Sequence, residues 1–244
     1  MQISDVALVC ADNVRARCYM QAFTARKLLP SFCLILPAAE SGNPDPRRRR
    51  LSPAEVPWGR FDPERGIREL CEEAGVPCEF APAHDINAPE TIRHIAELTQ
   101  QVCVYAGFGG VILRADLLNC GKKFLHAHGG WLPSYKGSTT NYYSALQENF
   151  CAASAMFLNE EIDRGVVLCR RRFAVPADMS LMDYVHDNVF RAEVLCEVLA
   201  AHVKSRGWPE SVVENTPTNP YFVMHPLLRH MAILGSKGAD LPCA

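Results

Sequence analysis

The chain has 244 residues, 48% of them apolar and 21% charged, which suits one globular α/β domain with room for a small appendage. Its 25 basic and 27 acidic side chains leave a formal charge of -2, so no overall basic field recruits nucleic acid. The opening MQISDVALVC lacks the basic and apolar regions of a signal peptide, and no apolar run nears the roughly 20 residues that cross a bilayer. A cytoplasmic protein with no membrane partner is expected, its 11 scattered cysteines, with no Cys-x-x-Cys, acting as buried reduced thiols.

Read in chain order, DVALVC (5–10) is a strand, VRARCYMQAF a helix and SFCLIL (31–36) a second strand. PAAESGNPDPRRRRLSPAEVPWG then loses all periodicity, which predicts a mobile loop over about 38–60; Arg47 to Arg50 within it read as a solvated charge run rather than a phosphate clamp. PERGIRELCEEAG restores a helical pattern, with Ile67, Leu70 and Cys71 on one side and Gly75 as its stop, and PCEF follows as a short strand. Asn87 is placed to cap a helix with Pro89 in its first turn and Ile92, Ile95 and Leu98 as its apolar stripe. VCVYA (102–106), KFLHAH, CAASAMFL and VVLCRRRF are further strands, with TTNYYSALQ a helix among them. Asp178 is placed to cap a long helix whose Val185, Val189, Val194, Val198 and Leu199 face inward, and NPYFVMHPLLRHMAIL follows as a short docked segment. No internal repeat appears, nor a run of short strands for an appended β-barrel.

This alternation predicts an α/β fold, a mostly parallel sheet with helices on both faces. It also predicts a domain over 1–175 and a helical C-terminal extension over 176–244 packed on it. In such sheets the ligand crevice lies beyond the carboxyl ends of the strands, where Gly107 to Gly110, the pair His126 and His128, and NEEIDRG all fall. Two histidines two apart on a strand share a face, so they can ligate a metal, share a proton-transfer task or pack. Gly129 and Gly130 remove side chains just after them, as if a ligand or another backbone comes close. Asp163, in an Asp-x-Gly, is by itself no more than a turn former. Tyr142 and Tyr143 open a helix beside these residues, where one can stack on a substrate or both can pack.

HAHGGWLPSYKG followed by NEEIDRG resembles the core motif of the folate-dependent formyltransferases: Asn-x-His, then Leu-Pro, then Lys- or Arg-Gly, and later Asp-x-Gly. YAGFGGVIL and HDINAPETIRHIAEL are similar to the strand, loop and helix upstream of that motif, and the resemblance runs from about 4 to 175, strongest from 82 to 170. It implies a Rossmann-like catalytic domain, His128 as the catalytic histidine, Asp163 as the catalytic aspartate, and His126 where the family has asparagine. It further implies that Phe108, Gly109, Gly110, Val111 and Ile112, with Leu158, Asn159, Glu160 and Glu161, wall the pteridine pocket of 10-formyltetrahydrofolate, the formyl donor. No metal is expected. In this reading an amine attacks the formyl carbon, His128 donates to the oxyanion that forms, and Asp163 orients His128 and assists proton movement.

The turn CADNVRA has no glycine to cradle a phosphoribosyl phosphate, and neither a barrel nor a basic balance points to tRNA. The expected acceptor is therefore a small-molecule amine, such as an amino acid, an amino sugar or a hydroxylamine-type intermediate. The partners expected are that amine and, through the C-terminal helix, a possible second copy in a homodimer, with no nucleic acid. The alternatives are a 10-formyltetrahydrofolate hydrolase, a metal-dependent hydrolase using His126, His128 and Asp163, and a folate-binding protein without catalysis. Because imidazole titrates near neutrality and an amide does not, His126→Asn should flatten the acid limb of the pH–rate profile. An unchanged profile would remove His126 from the chemistry.

Overall fold

The computed structural model describes residues 2–38, 51–213 and 221–237, which form two compact units. Arg47 to Arg50 lie outside the described residues. One unit comprises residues 1–126 with 157–162, the other residues 127–156 with 163–244.

The first unit holds β1 (Gln2–Ala11), α1 (Val14–Ala25), β2 (Leu29–Leu36), β3 (Ala54–Val56), β4 (Gly59–Phe61), α2 (Ile67–Ala74), β5 (Cys78–Phe80), α3 (Pro89–Glu97), β6 (Val102–Ala106), α4 (Ala115–Leu118) and most of β7 (Lys123–His128). From Val6 to Ala11 every residue of β1 is fully buried, as an unbroken apolar run requires when a strand has neighbours on both sides. β1 pairs in parallel with β2 and β6, and β5 and β7 extend the same parallel sheet in the order β7-β6-β1-β2-β5. Its core joins Val9, Leu34, Leu36, Cys103 and Phe124 of the strands to Ile95 of α3 and Leu117 of α4. Burial pushes the Cys103 thiol up to about 12, which keeps it protonated and inert.

Helix ends in this unit follow their local chemistry, with one correction. Asn13 caps α1 by accepting from the amide of Ala16 at 2.9 Å, and Gly75 ends α2 at φ 66°, as its sequence predicts. Asn87 does not cap α3, whose first flanking residue is Ala88. Its side chain donates to the carbonyl of Ile112 at 3.1 Å and accepts from the amide of Arg114 at 2.8 Å, tying down the loop after β6 instead. The expected loop over 38–60 is also corrected in part, because β3 and β4 pair as an antiparallel hairpin. Three-residue strands are too short to show an alternation.

The second unit contains the end of β7, β8 (Lys136–Ser138), α5 (Asn141–Glu148), β9 (Cys151–Phe157), β10 (Val166–Phe173), α6 (Asp187–Ser205), β11 (Tyr221–Val223) and α7 (Pro226–Lys237). Within this unit α6 binds a residue far upstream: Arg191 donates to the carbonyl of Ala127, while pairing with Asp187 of the same helix at 2.6 Å. Asp178 caps a short 3-10 turn, Met179–Leu181, by accepting from Ser180 at 2.9 Å. A π-helical turn, Met182–His186, then leads into α6, so the long helix starts later than its cap predicts. Among the described residues no helix is long and apolar enough to cross a membrane.

Burial lowers the pKa of His186, with the backbone and charge of Asp178 pulling part of the way back. The unfolded chain, in which histidine titrates near about 6.5, then binds the proton more readily than the folded one. The His186 contribution is complete above that value and is lost as pH falls through the lower folded value. The gap in melting temperature between the wild type and His186→Gln should therefore narrow from pH 7 to pH 5, and parallel pH dependences would contradict this.

Candidate active site

His128 ends β7 and is 4% exposed, and its ring is held from both sides. Its Nε2 lies 2.8 Å from the carbonyl oxygen of Tyr135, and a carbonyl can only accept, so Nε2 carries the hydrogen of that bond. Nδ1 lies 3.3 Å from Oδ1 of Asp163. The other carboxylate oxygen of Asp163 accepts from the amide of Gly137 at 2.8 Å. Asp163 stands at φ 55°, a left-handed conformation that aspartate tolerates better than most residues and that sets its carboxylate at this position. Histidine, aspartate and a backbone amide thus form one chain of contacts, in which the amide and the aspartate lie 26 residues apart in sequence.

The segment between them is fixed by close approach. A Cβ on Gly129 would meet Oδ1 of Asp187 at 2.0 Å, and one on Gly130 would meet Oγ1 of Thr140 at 2.2 Å. The glycine pair makes room for this protein's own side chains, rather than for the ligand that the sequence pattern leaves open. Thr140 donates to the carbonyl of Gly129 at 2.6 Å, and Asn141 donates to Asp187 at 3.1 Å while accepting from the amide of Ala152 at 2.7 Å. Thr140, Asn141, Asp187 and Arg191 carry no motif of their own; only the two glycines hint that something packs there. Gly137 stands at φ 115° in β8, which pairs in parallel with β11, and a Cβ on it would meet the carbonyl oxygen of Phe222 at 2.0 Å.

In the first unit a cavity of about 150 Å³ is lined by Leu36, His84, Asp85, Ile86, Tyr105, Phe108 and Val111. The rings of His84 and Phe108 lie 4.3 Å apart, and His84 is anchored on the carbonyl of Pro37 at 2.8 Å. Burial pushes the Tyr105 hydroxyl up to about 12, against a smaller opposing pull from Arg15, so this wall remains neutral. Of the expected pocket residues, Phe108 and Val111 line this cavity, whereas Gly109, Gly110 and Ile112 do not and are exposed. Leu158 is half-buried against the core, its amide donating to Phe124 at 2.8 Å. Asn159, Glu160 and Glu161 are exposed, with Glu160 accepting from Asn119 at 2.9 Å. His84, Asp85 and Tyr105 were not singled out by any spacing, since each is an ordinary residue in its local pattern.

His126, half-buried in the first unit, has its ring 6.3 Å from that of Tyr105. Among the described residues no three His, Cys, Asp or Glu side chains make a group that could hold a metal. The geometry gives the reason in part, because both ring nitrogens of His128 already face protein oxygens. Tyr142 is fully buried under Arg229, and Tyr143 packs on Phe222 and donates to the carbonyl of Val223 at 3.0 Å, so both tyrosines pack.

A family model described as formyl transferase matches residues 58–198. Methionyl-tRNA formyltransferase from Ruminiclostridium cellulolyticum is 29% identical over 167 residues, covering 66% of this chain and 48% of that protein. The chain spans about half the length of the curated relatives it matches. Among solved structures, a sugar N-formyltransferase from Shewanella sp FDAARGOS_354 is similar at a TM-score of 0.57 and 16% identity, covering 97% of this chain and 89% of that one. Glycinamide ribonucleotide transformylase 1 from Symbiobacterium toebii is similar at 0.57 and 13% identity, covering 83% and 89%. At these identities the likeness is one of fold.

Gly137→Ala combines strain at φ 115° with a collision against β11. It should cost about 1–3 kcal/mol of unfolding free energy in a denaturant titration. Gly109→Ala, whose Cβ meets nothing within 4 Å, should stay within about 0.5 kcal/mol of the wild type. Equal effects at the two positions would contradict the packing described for β8.

Proposed function

Because this chain belongs to the formyl transferase family, we propose that it moves a formyl group from 10-formyltetrahydrofolate to the amine of a small molecule. The observation that carries this reading is the buried pairing of His128 with Asp163, both inside the matched segment 58–198. The donor, when bound, supplies an electrophilic formyl carbon. An attacking amine has to shed a proton, and the His128–Asp163 pair is the group proposed to move it. Asp163, seated on the Gly137 amide, holds the ring at Nδ1 and Tyr135 holds it at Nε2, so the ring keeps one orientation, and the Asp163 carboxylate is the member of the pair proposed to accept the amine's proton. A histidine oriented by a carboxylate in this way is a recurrent arrangement in acyl transfer.

The first unit's cavity supports the donor half of the reading. Its aromatic lining and its volume of about 150 Å³ suit one flat ring system rather than a whole folate. Phe108 and Val111 are proposed as its walls, with Gly109, Gly110 and Ile112 continuing the same loop. Leu158, Asn159, Glu160 and Glu161 are proposed as the backbone side of the pocket. His126 is proposed to take the place of the family's asparagine as a second hydrogen-bond donor.

A small acceptor is supported by the charge of -2, which offers no field for tRNA.

Two measurements test the proposal. The wild type should bind a stable 10-formyl folate analogue in a titration, and failure to bind any reduced folate would sink the reading. Asp163→Asn should bind the analogue as the wild type does but lose formyl transfer to amines by about 10²–10⁴-fold. Full activity in that variant would remove the pair from the chemistry. Formate release without added amine would point to the hydrolase instead.

A further inference from the structure

Three consecutive arginines, Arg170, Arg171 and Arg172, lie on β10. Neighbouring side chains on a strand point to opposite faces, and here the two faces differ in charge balance. Arg171 is neutralised by α6, pairing with Glu193 at 3.1 Å and Glu197 at 2.8 Å. Arg170 and Arg172 pair with no carboxylate among the described residues. Both guanidiniums lie instead over the indole of Trp131, at 4.1 and 4.7 Å from its centroid, and Arg172 also covers Phe150 at 4.2 Å. Glu148 of α5 accepts from the hydroxyl of Tyr135 at 2.6 Å.

Two like charges over one ring repel each other, and burial together with Arg172 lowers the pKa of Arg170. The indole face offsets only part of that cost. A guanidinium over a ring carries five N–H donors, which the ring face does not all use. Arg170 gives one N–H to the carbonyl of Leu132 at 2.8 Å, while Arg172 makes no hydrogen bond among the described residues and is exposed. Paired guanidinium edges with no protein anion match the oxygens of a phosphoryl group, which can take two parallel bonds from each fork.

We propose that Arg170 and Arg172, stacked on Trp131, form a binding site for the phosphoryl group of a small phosphorylated ligand. The site rests on β10 and the 131–132 segment alone and stands whether or not formyl transfer is the reaction. Free phosphate and a nucleotide share this chemistry, so both serve as probes.

The full-length protein is titrated by calorimetry with inorganic phosphate, pyrophosphate and ADP at constant ionic strength, so that screening does not vary. Saturable binding of pyrophosphate or ADP is expected. It should weaken about tenfold or more in Arg172→Gln, the loss expected for one charge-assisted contact, and persist in Arg171→Gln. Both variants should keep the wild-type far-UV circular dichroism, since both side chains are exposed. ADP binding tighter than inorganic phosphate identifies a nucleotide as the ligand, and equal binding identifies free phosphate. Three results would each overturn the site: no saturable binding of any probe, unchanged binding in Arg172→Gln, or an equal loss in Arg171→Gln.

Discussion

Each ring nitrogen of His128 faces an oxygen, one the carbonyl of Tyr135 and the other the carboxylate of Asp163, and the ring is almost fully buried. A buried imidazole with one partner can still rotate or flip. With two it has a single orientation, and a polar group left without a partner at that depth would cost about 1–3 kcal/mol. Much of the second unit serves this arrangement. Gly137 supplies the amide that seats Asp163, and Thr140 and Arg191 hold the carbonyls of Gly129 and Ala127 on either side of the histidine. Asn141 ties Asp187 to the amide of Ala152, so the support reaches from α6 to β9.

The first unit meets a different demand. Its parallel strands are buried along their length, and β6 delivers Tyr105 and then Phe108 to the loop at the strand's carboxyl end. That loop keeps its path because Asn13 donates to the carbonyl of Gly107 at 3.0 Å and Asn87 binds the backbone of Ile112 and Arg114. The cavity there combines aliphatic and aromatic walls and a neutral tyrosine with the polar side chains of His84 and Asp85. The buried histidine, the carboxylate beside it and the amide that seats that carboxylate belong to the second unit.

The parts of this structure that can be read from the sequence are those governed by local periodicity. The buried run of β1, the stripe of α3 and the glycine stop of α2 all follow from spacing within one element. Asn87 could not be read that way, because its side chain answers to Ile112 and Arg114, 25 and 27 residues downstream. Gly129 and Gly130 announce a close approach, but Asp187 and Thr140, which make it, lie on other elements. His128 and Asp163 are legible as a pair only through the family's motif spacing, since neither has a neighbour in sequence that betrays the other. The hairpin of β3 and β4 and the π-helical turn before α6 leave no periodic trace.

The pairing of β8 with β11 has a consequence for how the protein is made. Gly137, which seats the Asp163 carboxylate, is held in a strand whose partner begins at Tyr221, beyond the family match that ends at residue 198. A ribosome emits the histidine, the aspartate and all of α6 before that partner strand exists. Contacts between residues so far apart in sequence also form late in folding. The emerging chain therefore carries the histidine and the aspartate well before it can hold them in register, and the seat of the carboxylate is among the last parts of the molecule to close.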